Sequence, residues 1–358
     1  MIEKLNHLIL GVTILMGIKG LTQPIHDSDL FHNRQARFLS LLSQNDIYQF
    51  NPSDKYFTNG LHVGFADESL HQNWTQFLLA NPLKKSSSTY VLKFGQDVFT
   101  PLNIWVSSVD SSDIPYSGAL YFTFTRQANN PQIGLRWQSN LFFGVQGPMA
   151  GAGNLQYWYH EISNNPLPKG WHNQIGNGLI LDYEIEVERL LPLTNEFVEW
   201  NVNANLRLGS YLNYATIGTL GKIGVFNYSY ASYNGLKNTH SKSGRYKTNN
   251  LNWLKKTKRS DKTRQTNVNG LWQFYAVAGA NLQTMFYDGR VQGSLIPFMS
   301  SPYLWRTSNY NHFNAQLLLG ARLSYKNVML QFTHYEQTDV YKGSGSFGWA
   351  DIKLVVSF

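Results

Sequence analysis

The sequence predicts an all-β protein: a twelve-stranded antiparallel transmembrane β-barrel with a short helix in an extracellular loop. Three observations support this. Long segments alternate polar and apolar residues, their number is even, and no apolar run outside the N-terminal segment is long enough for a spanning helix. Charged residues make up only 15% of the 358 residues, against about a quarter in soluble domains. A membrane barrel explains this composition, because lipid-facing apolar residues alternate with polar residues that face the lumen.

Residues 1–20 have the features of a signal peptide, although the sequence locates its cleavage site only approximately. Lys4 precedes an apolar run from Leu8 to Ile18, which is too short to cross a bilayer as a helix. Residues 21–43 are expected to form a polar lead-in, and residues 44–358 the barrel. The chain has no cysteine, which is consistent with an exported bacterial protein that uses no disulfides.

The first predicted hairpin carries polar side chains inside aromatic-rich strands. Asn45 and Asp46 are expected to open one strand, and Thr58 and Asn59 to lie in the next. The turn between them is predicted at Asn51–Asp54. Across two paired strands these side chains could bind a cation or position a water. The alternative is that they only flank a turn or face the lumen.

Two later segments show the alternation most clearly. From Leu179 to Glu188 apolar residues alternate with Asp and Glu, and from Val198 to Leu208 they alternate with Glu, Asn and Arg. A strand places such sets on opposite faces, whereas a helix would mix them. The predicted strands exceed the roughly six residues common in soluble sheets and suit a tilted strand that crosses a membrane.

Twelve strands are predicted, with starts near Gln44, Tyr56, Thr89, Ser117, Gln132, Gln174, Asn195, Tyr211, Leu271, His312, Val328 and Gly345. The last strand alternates apolar residues up to Phe358, and it can close on the first strand so that no edge is left in the lipid. A soluble sandwich with a terminal edge strand is the alternative, which the length of the strands disfavours.

Two insertions interrupt the strand pattern. Residues 154–162 are predicted to form a short helix, in which Gln156 and His160 share one face because they are four residues apart. Residues 236–264 contain ten Lys and Arg and one acid, a net +9 that covers the chain's whole +8 and leaves the rest of the chain close to neutral. A flexible solvated loop explains this charge, so we do not expect nucleic-acid binding.

The hairpin, the segment GPMAGAGNLQYWYHEI and the following GWHNQIGN together resemble the lipid A 3-O-deacylase family of Gram-negative outer membranes. The resemblance implies a calcium-dependent barrel that removes the 3-linked acyl chain from the lipid A of lipopolysaccharide. It assigns calcium to Asp46 and Asn45. The catalytic positions that it implies are His160, Gln156, Asn45, Asp46 and Thr58. We expect a monomer in the outer membrane, with lipopolysaccharide and membrane lipid as partners.

Histidine, carboxylate and amide side chains are consistent with ester hydrolysis in which a histidine acts as the base and calcium stabilises the oxyanion. Only Glu161 is acidic shortly after His160, so the sequence shows no clear acidic partner for that base. No Gly-x-Ser-x-Gly elbow or His-Glu-x-x-His motif is present, which disfavours a serine hydrolase of the α/β class and a zinc peptidase. His172 is the rival base.

Two alternative functions remain open from the sequence. One is a non-catalytic barrel, such as a pore or adhesin, and the other is an outer-membrane phospholipase. Convergence of the five candidate residues would favour a hydrolase, since in a pore they would be scattered around the wall.

Overall fold

The computed structural model describes residues 37–48, 56–84, 86–130, 133–194, 197–226 and 272–358. The predicted signal peptide, the first part of the lead-in, the turn Asn51–Asp54 and the basic segment 236–264 lie outside the described residues. No helix within the described ranges is long and apolar enough to cross a membrane.

Twelve antiparallel strands within the described residues form one closed sheet, in which strands adjacent in sequence pair and the last strand pairs with the first. They are β1 (Phe38–Asn45), β2 (Tyr56–Ala66), β3 (Ser87–Thr100), β4 (Ser117–Asn130), β5 (Leu135–Gln146), β6 (Gly178–Leu190), β7 (Val198–Gly209), β8 (Leu212–Val225), β9 (Trp272–Asp288), β10 (Phe313–Tyr325), β11 (Val328–Gln337) and β12 (Phe347–Ser357). Closure leaves no unpaired strand edge, as a sheet in lipid requires. The predicted fold class is therefore confirmed.

Three α-helices in the described residues connect strands: α1 (Asn73–Leu78), α2 (Ala152–Ser163) and α3 (Gly289–Gln292). Helix α2 follows β5 and helix α3 follows β9, at the end of the barrel opposite to the end where β1 begins and β12 finishes. The connections after β5 and β9 are longer than any at the opposite end except the one between β8 and β9, and long loops are typical of the extracellular side of bacterial barrels. Helix α2 contains the predicted helix 154–162 and extends beyond it at both ends.

Strand β1 begins at Phe38, inside residues 21–43, which were predicted to form the lead-in. Asn45 is the last residue of β1, and Asp46 begins a short 3-10 turn. The prediction that this pair opens a strand is therefore wrong. Two adjacent leucines in β1 break the alternation that marks the other strands, which is why its start was misplaced. The other eleven predicted starts lie within four residues of the observed ones.

The alternation decides which side chains face the lumen. The acidic residues of β6 are buried inside the barrel, and the apolar residues between them lie on the outer face. Buried charges in the lumen form ion pairs: Arg207 with Asp182 at 2.7 Å, Arg136 with Glu188 at 2.9 Å, and Lys222 with Glu199 at 2.9 Å. Pairing of this kind offsets the cost of removing each charge from water.

Aromatic side chains pack inside the lumen at the end that carries α2. They belong to one buried cluster, which includes Tyr56, Phe57, Phe99, Tyr121, Phe142, Tyr341, Phe347 and Trp349. The guanidinium of Arg207 lies over the ring of Phe142, 3.7 Å from its centroid, and extends this packing into the charged part of the lumen.

Candidate active site

The five predicted site residues line one cleft of about 190 Å³ between the barrel wall and helix α2. The residues that line it are Asn45, Asp46, Ile47, Thr58, Asn59, Val98, Leu155, Gln156, Tyr159, His160 and Asn165. The structure therefore brings together groups from the first hairpin and from the helix, which are separated by about a hundred positions in the sequence.

The cleft lies on the outer face of the wall. Gln44 points into the lumen, where its Nε2 donates to Asp351 at 3.5 Å. The next residue, Asn45, must then face outward, because successive side chains of a strand alternate. Asn45 pairs directly with Asn59 of β2, so these two carboxamides share the outer face.

A β-bulge in β2 brings two consecutive polar side chains to this face. Phe57 pairs with Phe99 and Asn59 pairs with Val98, so Thr58 is an extra residue opposite β3. In a regular strand Thr58 and Asn59 would point to opposite faces. The bulge instead lets both of them line the cleft.

The hydroxyl of Thr58 forms a hydrogen bond within the barrel wall. Its Oγ1 lies 2.5 Å from Oγ1 of Thr100 in β3, and both side chains are buried. One of the two hydroxyls donates and the other accepts. This bond fixes the rotamer of Thr58 at the base of the cleft.

The end of β1 and the bulge together supply oxygen atoms. Oδ1 of Asn45 accepts the backbone N–H of Ile47 at 2.8 Å, which holds the turn that follows β1. Asp46 is buried beside it. Oδ1 of Asn59 is buried and accepts no hydrogen bond in the described part of the chain. Asn59 is one of the hairpin residues that the sequence indicates as able to bind a cation, but the family resemblance assigns calcium only to Asp46 and Asn45.

Helix α2 turns one narrow face toward the wall. Ala152, Gln156 and His160 recur every four residues and are the buried positions of the helix. The approach is close at Gly118 of β4, where an added Cβ would lie 2.4 Å from Cβ of Ala152. Glycine at this position therefore allows the helix to lie against the sheet.

His160 is held by a backbone carbonyl. Its Nδ1 lies 2.7 Å from the carbonyl oxygen of Pro166. A carbonyl oxygen only accepts, so Nδ1 carries the hydrogen, and Nε2 is the basic atom of the neutral ring. Asn164 ends α2 with a left-handed backbone (φ 57°) before the chain reaches Pro166. This carbonyl takes the place of the acidic partner that the sequence did not show.

His172, the rival base, lies elsewhere. It is exposed in a short 3-10 turn, Trp171–Asn173, and does not line the cleft. His160, in contrast, is buried, and the ring of Trp105 stands edge-on to it with 6.5 Å between centroids. Of these two histidines, only His160 lies beside the other candidate residues.

The carboxamide of Gln156 has a defined orientation. The indole Nε1 of Trp171 donates to Oε1 of Gln156 at 2.6 Å. Nε2 of Gln156 is buried and has no hydrogen-bond partner among the residues described. Trp171 belongs to the motif GWHNQIGN, and nothing in the motif alone predicts this contact.

The donor set of the cleft fits calcium. In the described ranges, no group of three or more His, Asp or Glu side chains is arranged to hold a metal ion. Calcium also accepts amide and backbone carbonyl oxygens, and the cleft offers the carboxylate of Asp46 and the amides of Asn45 and Asn59. The unpartnered oxygen of Asn59 is the observation that supports this fit.

The fold defines the class of outer-membrane barrels. Its site is a cleft between the barrel wall and helix α2, in which polar groups including a histidine converge. The sequence matches the family described as outer membrane protein LpxR over residues 10–358. The chain therefore belongs to the LpxR family, and the resemblance to the lipid A 3-O-deacylase family is confirmed. It is a protein of the Gram-negative outer membrane.

Of three similar solved structures, the first supports the fold. LpxR from Salmonella typhimurium superposes with a TM-score of 0.64 at 16% identity, covering 90% of this chain and 100% of that chain. The β domain of the Bordetella autotransporter BrkA has a TM-score of 0.40 at 10% identity, with 90% and 99% covered. The translocator domain of NalP from Neisseria meningitidis has a TM-score of 0.39 at 10% identity, with 92% and 90% covered. No curated protein matches the chain in sequence.

Proposed function

We propose that this chain is a calcium-dependent lipid A 3-O-deacylase, which hydrolyses the ester of the 3-linked acyl chain in lipopolysaccharide. One observation carries the proposal: the five predicted residues converge in a cleft on the outer face of the barrel. A lipid substrate in the outer leaflet reaches this face directly, whereas a solute that crosses a pore would meet the lumen. Membership of the LpxR family supports the substrate class.

His160 acts as the general base in this proposal. Its Nε2 removes a proton from a water molecule, and the oxygen of that water attacks the carbonyl carbon of the ester. When the tetrahedral intermediate collapses, the bond to the 3-oxygen breaks and the imidazolium returns the proton to that oxygen. The products are a free fatty acid and a 3-hydroxyl on the sugar. The carbonyl of Pro166 keeps the ring oriented through Nδ1–H.

Asp46, Asn45 and Asn59 would hold the calcium ion. When bound, calcium supplies positive charge that stabilises the oxyanion. Gln156 offers a neutral N–H donor from the opposite side of the cleft, and Thr58 contributes its hydroxyl at the base. Helix α2 covers these groups and limits the access of bulk water.

The test is mass spectrometry of lipid A from cells that express the wild type, His160→Ala or His172→Ala. The wild type and His172→Ala are expected to yield lipid A that lacks the 3-linked acyl chain. His160→Ala should lower turnover by about two to four orders of magnitude, the usual effect of a positioned base. Heat-modifiable mobility on gels checks that each variant has folded into the barrel.

Three other results would contradict parts of the proposal. Unchanged lipid A with release of fatty acid from glycerophospholipid would identify a phospholipase that uses the same cleft. Unchanged lipid A and unchanged phospholipid would favour the non-catalytic barrel. Loss of activity in His172→Ala with normal activity in His160→Ala would show that the base is misassigned.

A further inference from the structure

Trp171 determines which atoms of Gln156 are available to a ligand. Its indole N–H can only donate, so the atom of Gln156 that it contacts at 2.6 Å must be the carbonyl oxygen Oε1. With Oε1 taken, Nε2 is the amide atom that remains for the cleft. Trp171 itself does not line the cleft, so it acts on a substrate only through Gln156.

Nε2 of Gln156 is a buried donor with no partner in the part of the chain that the structure describes. The side chain of Gln156 is only 5% exposed. A buried donor without a partner is costly, and the cost is removed when a ligand supplies an acceptor. The carbonyl oxygen of an ester is such an acceptor, and its need for a donor grows as negative charge develops on it.

Packing holds Trp171 in place. Its ring lies 4.9 Å from that of Tyr116, and both rings belong to a buried cluster with Val98 and Ala152. On the helix side, an added Cβ at Gly153 would lie 3.0 Å from Cδ2 of the indole. The indole therefore has little freedom to release the amide.

We propose that Trp171 is a positioning residue for deacylation. It fixes the carboxamide of Gln156 so that the cleft presents an N–H donor to the carbonyl oxygen of the scissile ester. If the amide were flipped, Oε1 of Gln156 would face the carbonyl oxygen of the ester. The two oxygen atoms would then repel each other as negative charge develops on the oxyanion. This inference rests on the proposed function, because it concerns the same ester.

Trp171→Phe tests the inference, because it keeps an aromatic ring against Tyr116 and removes the N–H. With purified lipid A in detergent micelles, kcat should fall by about 10-fold to 100-fold, as for other orienting partners, and KM should stay within about twofold. In a Gln156→Ala background the same substitution should cause no further fall. The matched control is Trp137→Phe, which removes an indole bond to the carbonyl of Ala80 at the other end of the barrel. Its kcat should be that of the wild type.

A second variant and a second measurement cover a failure of Trp171→Phe to fold. Benzothienylalanine at position 171 replaces the indole N–H by sulfur without changing the size of the ring system, and it should lower kcat in the same way. The indole ¹H–¹⁵N resonance of Trp171 should shift upfield in Gln156→Ala, which reports the hydrogen bond without any activity.

The outcomes separate the two claims. A wild type that leaves the 3-linked chain in place overturns the proposed function. An indole resonance that does not move in Gln156→Ala, or full activity of the variants at position 171, overturns the role of Trp171. An equal loss of kcat in the wild-type and Gln156→Ala backgrounds also overturns it, because that pattern indicates a packing effect independent of the amide.

Discussion

Replacing the two hydroxyls of the Thr58–Thr100 pair, singly and together, separates the structural role of Thr58 from its role in the cleft. The two Oγ1 atoms are 2.5 Å apart, and the side chains are 6% and 0% exposed. Thr58→Val keeps the volume and the branch at Cβ but leaves the hydroxyl of Thr100 buried without this partner. The free energy of unfolding should fall by about 1–3 kcal/mol, the cost of one unsatisfied buried group. Thr100→Val should behave in the same way.

The double variant should behave differently. When both hydroxyls are replaced by methyl groups, no buried donor or acceptor of the pair remains, so the free energy of unfolding should lie within about 1 kcal/mol of the wild type. Activity should follow Thr58 alone, because Thr100 does not line the cleft. Deacylation should fall by about tenfold in Thr58→Val and in the double variant, the effect of losing one hydrogen bond of about 1.4 kcal/mol. Thr100→Val should remain active.

Urea unfolding in phospholipid vesicles, followed by tryptophan fluorescence, measures the stabilities. Thr125→Val is the control, since the hydroxyl of Thr125 donates to Asn140 at 2.7 Å inside the lumen, and its loss should destabilise the barrel without changing activity. If the double variant loses as much free energy of unfolding as the two single variants together, the hydrogen bond between Thr58 and Thr100 is refuted. Full activity of a stable double variant would show that the hydroxyl of Thr58 stabilises the barrel wall and takes no part in deacylation.

Three further predictions concern the ion, the lumen and Asp67 in the turn that follows β2. Calcium should raise the melting temperature of the wild type and raise it less in Asn59→Ala; equal shifts would exclude Asn59 as a ligand. Asp182→Ala leaves Arg207 buried without its carboxylate, so the free energy of unfolding in urea should fall by about 3–5 kcal/mol, and a loss below about 1 kcal/mol would contradict the ion pair. Hydrogen bonds from Ser69 lower the pKa of Asp67 to about 2. Because this pKa is below the ordinary value of about 4, the stabilisation is complete above that pH and is lost as the pH falls toward 2. Urea midpoints between pH 2 and pH 5 should therefore decline less in Asp67→Asn, and parallel declines would refute this.

The barrel could be predicted from the sequence because lipid and lumen impose opposite demands on alternate residues. In β6 and β7 polar and apolar residues alternate at nearly every position, so the lumen-facing and lipid-facing sides of these strands were predicted correctly. Strand β1 is shorter, and its two adjacent leucines conceal the alternation, so residues 38–43 were assigned to the lead-in. Pairing with β2 and β12 determines this strand, and such pairing is a tertiary effect that local pattern does not show.

The candidate site was predictable where spacing along one element determines geometry. Gln156 and His160 share a helix face because they are four residues apart. The bulge at Thr58 was not predictable, since period two alone would have separated Thr58 from Asn59. The partner of His160 is the main-chain carbonyl of Pro166, and every residue type carries that group, so no side-chain pattern could identify it.

A closed barrel offers little that is polar to the lipid, because its sheet pairs the backbone groups and its outer side chains are mainly apolar. A hydrolytic site on that face therefore depends on departures from the regular sheet. The bulge adds one polar side chain to the outer face of β2, and the end of β1 adds two more. Helix α2 then covers these groups and supplies its own.

The position of helix α2 over the cleft has a chemical consequence. It buries Oδ1 of Asn59 and Nε2 of Gln156 without partners in the described residues, in surroundings where lipid chains cannot satisfy either atom. One atom accepts and the other donates, so the pair suits a cation on the strand side and a carbonyl oxygen on the helix side. An ester bound to calcium presents both groups at once, and neither a purely apolar chain nor a free cation would satisfy both atoms.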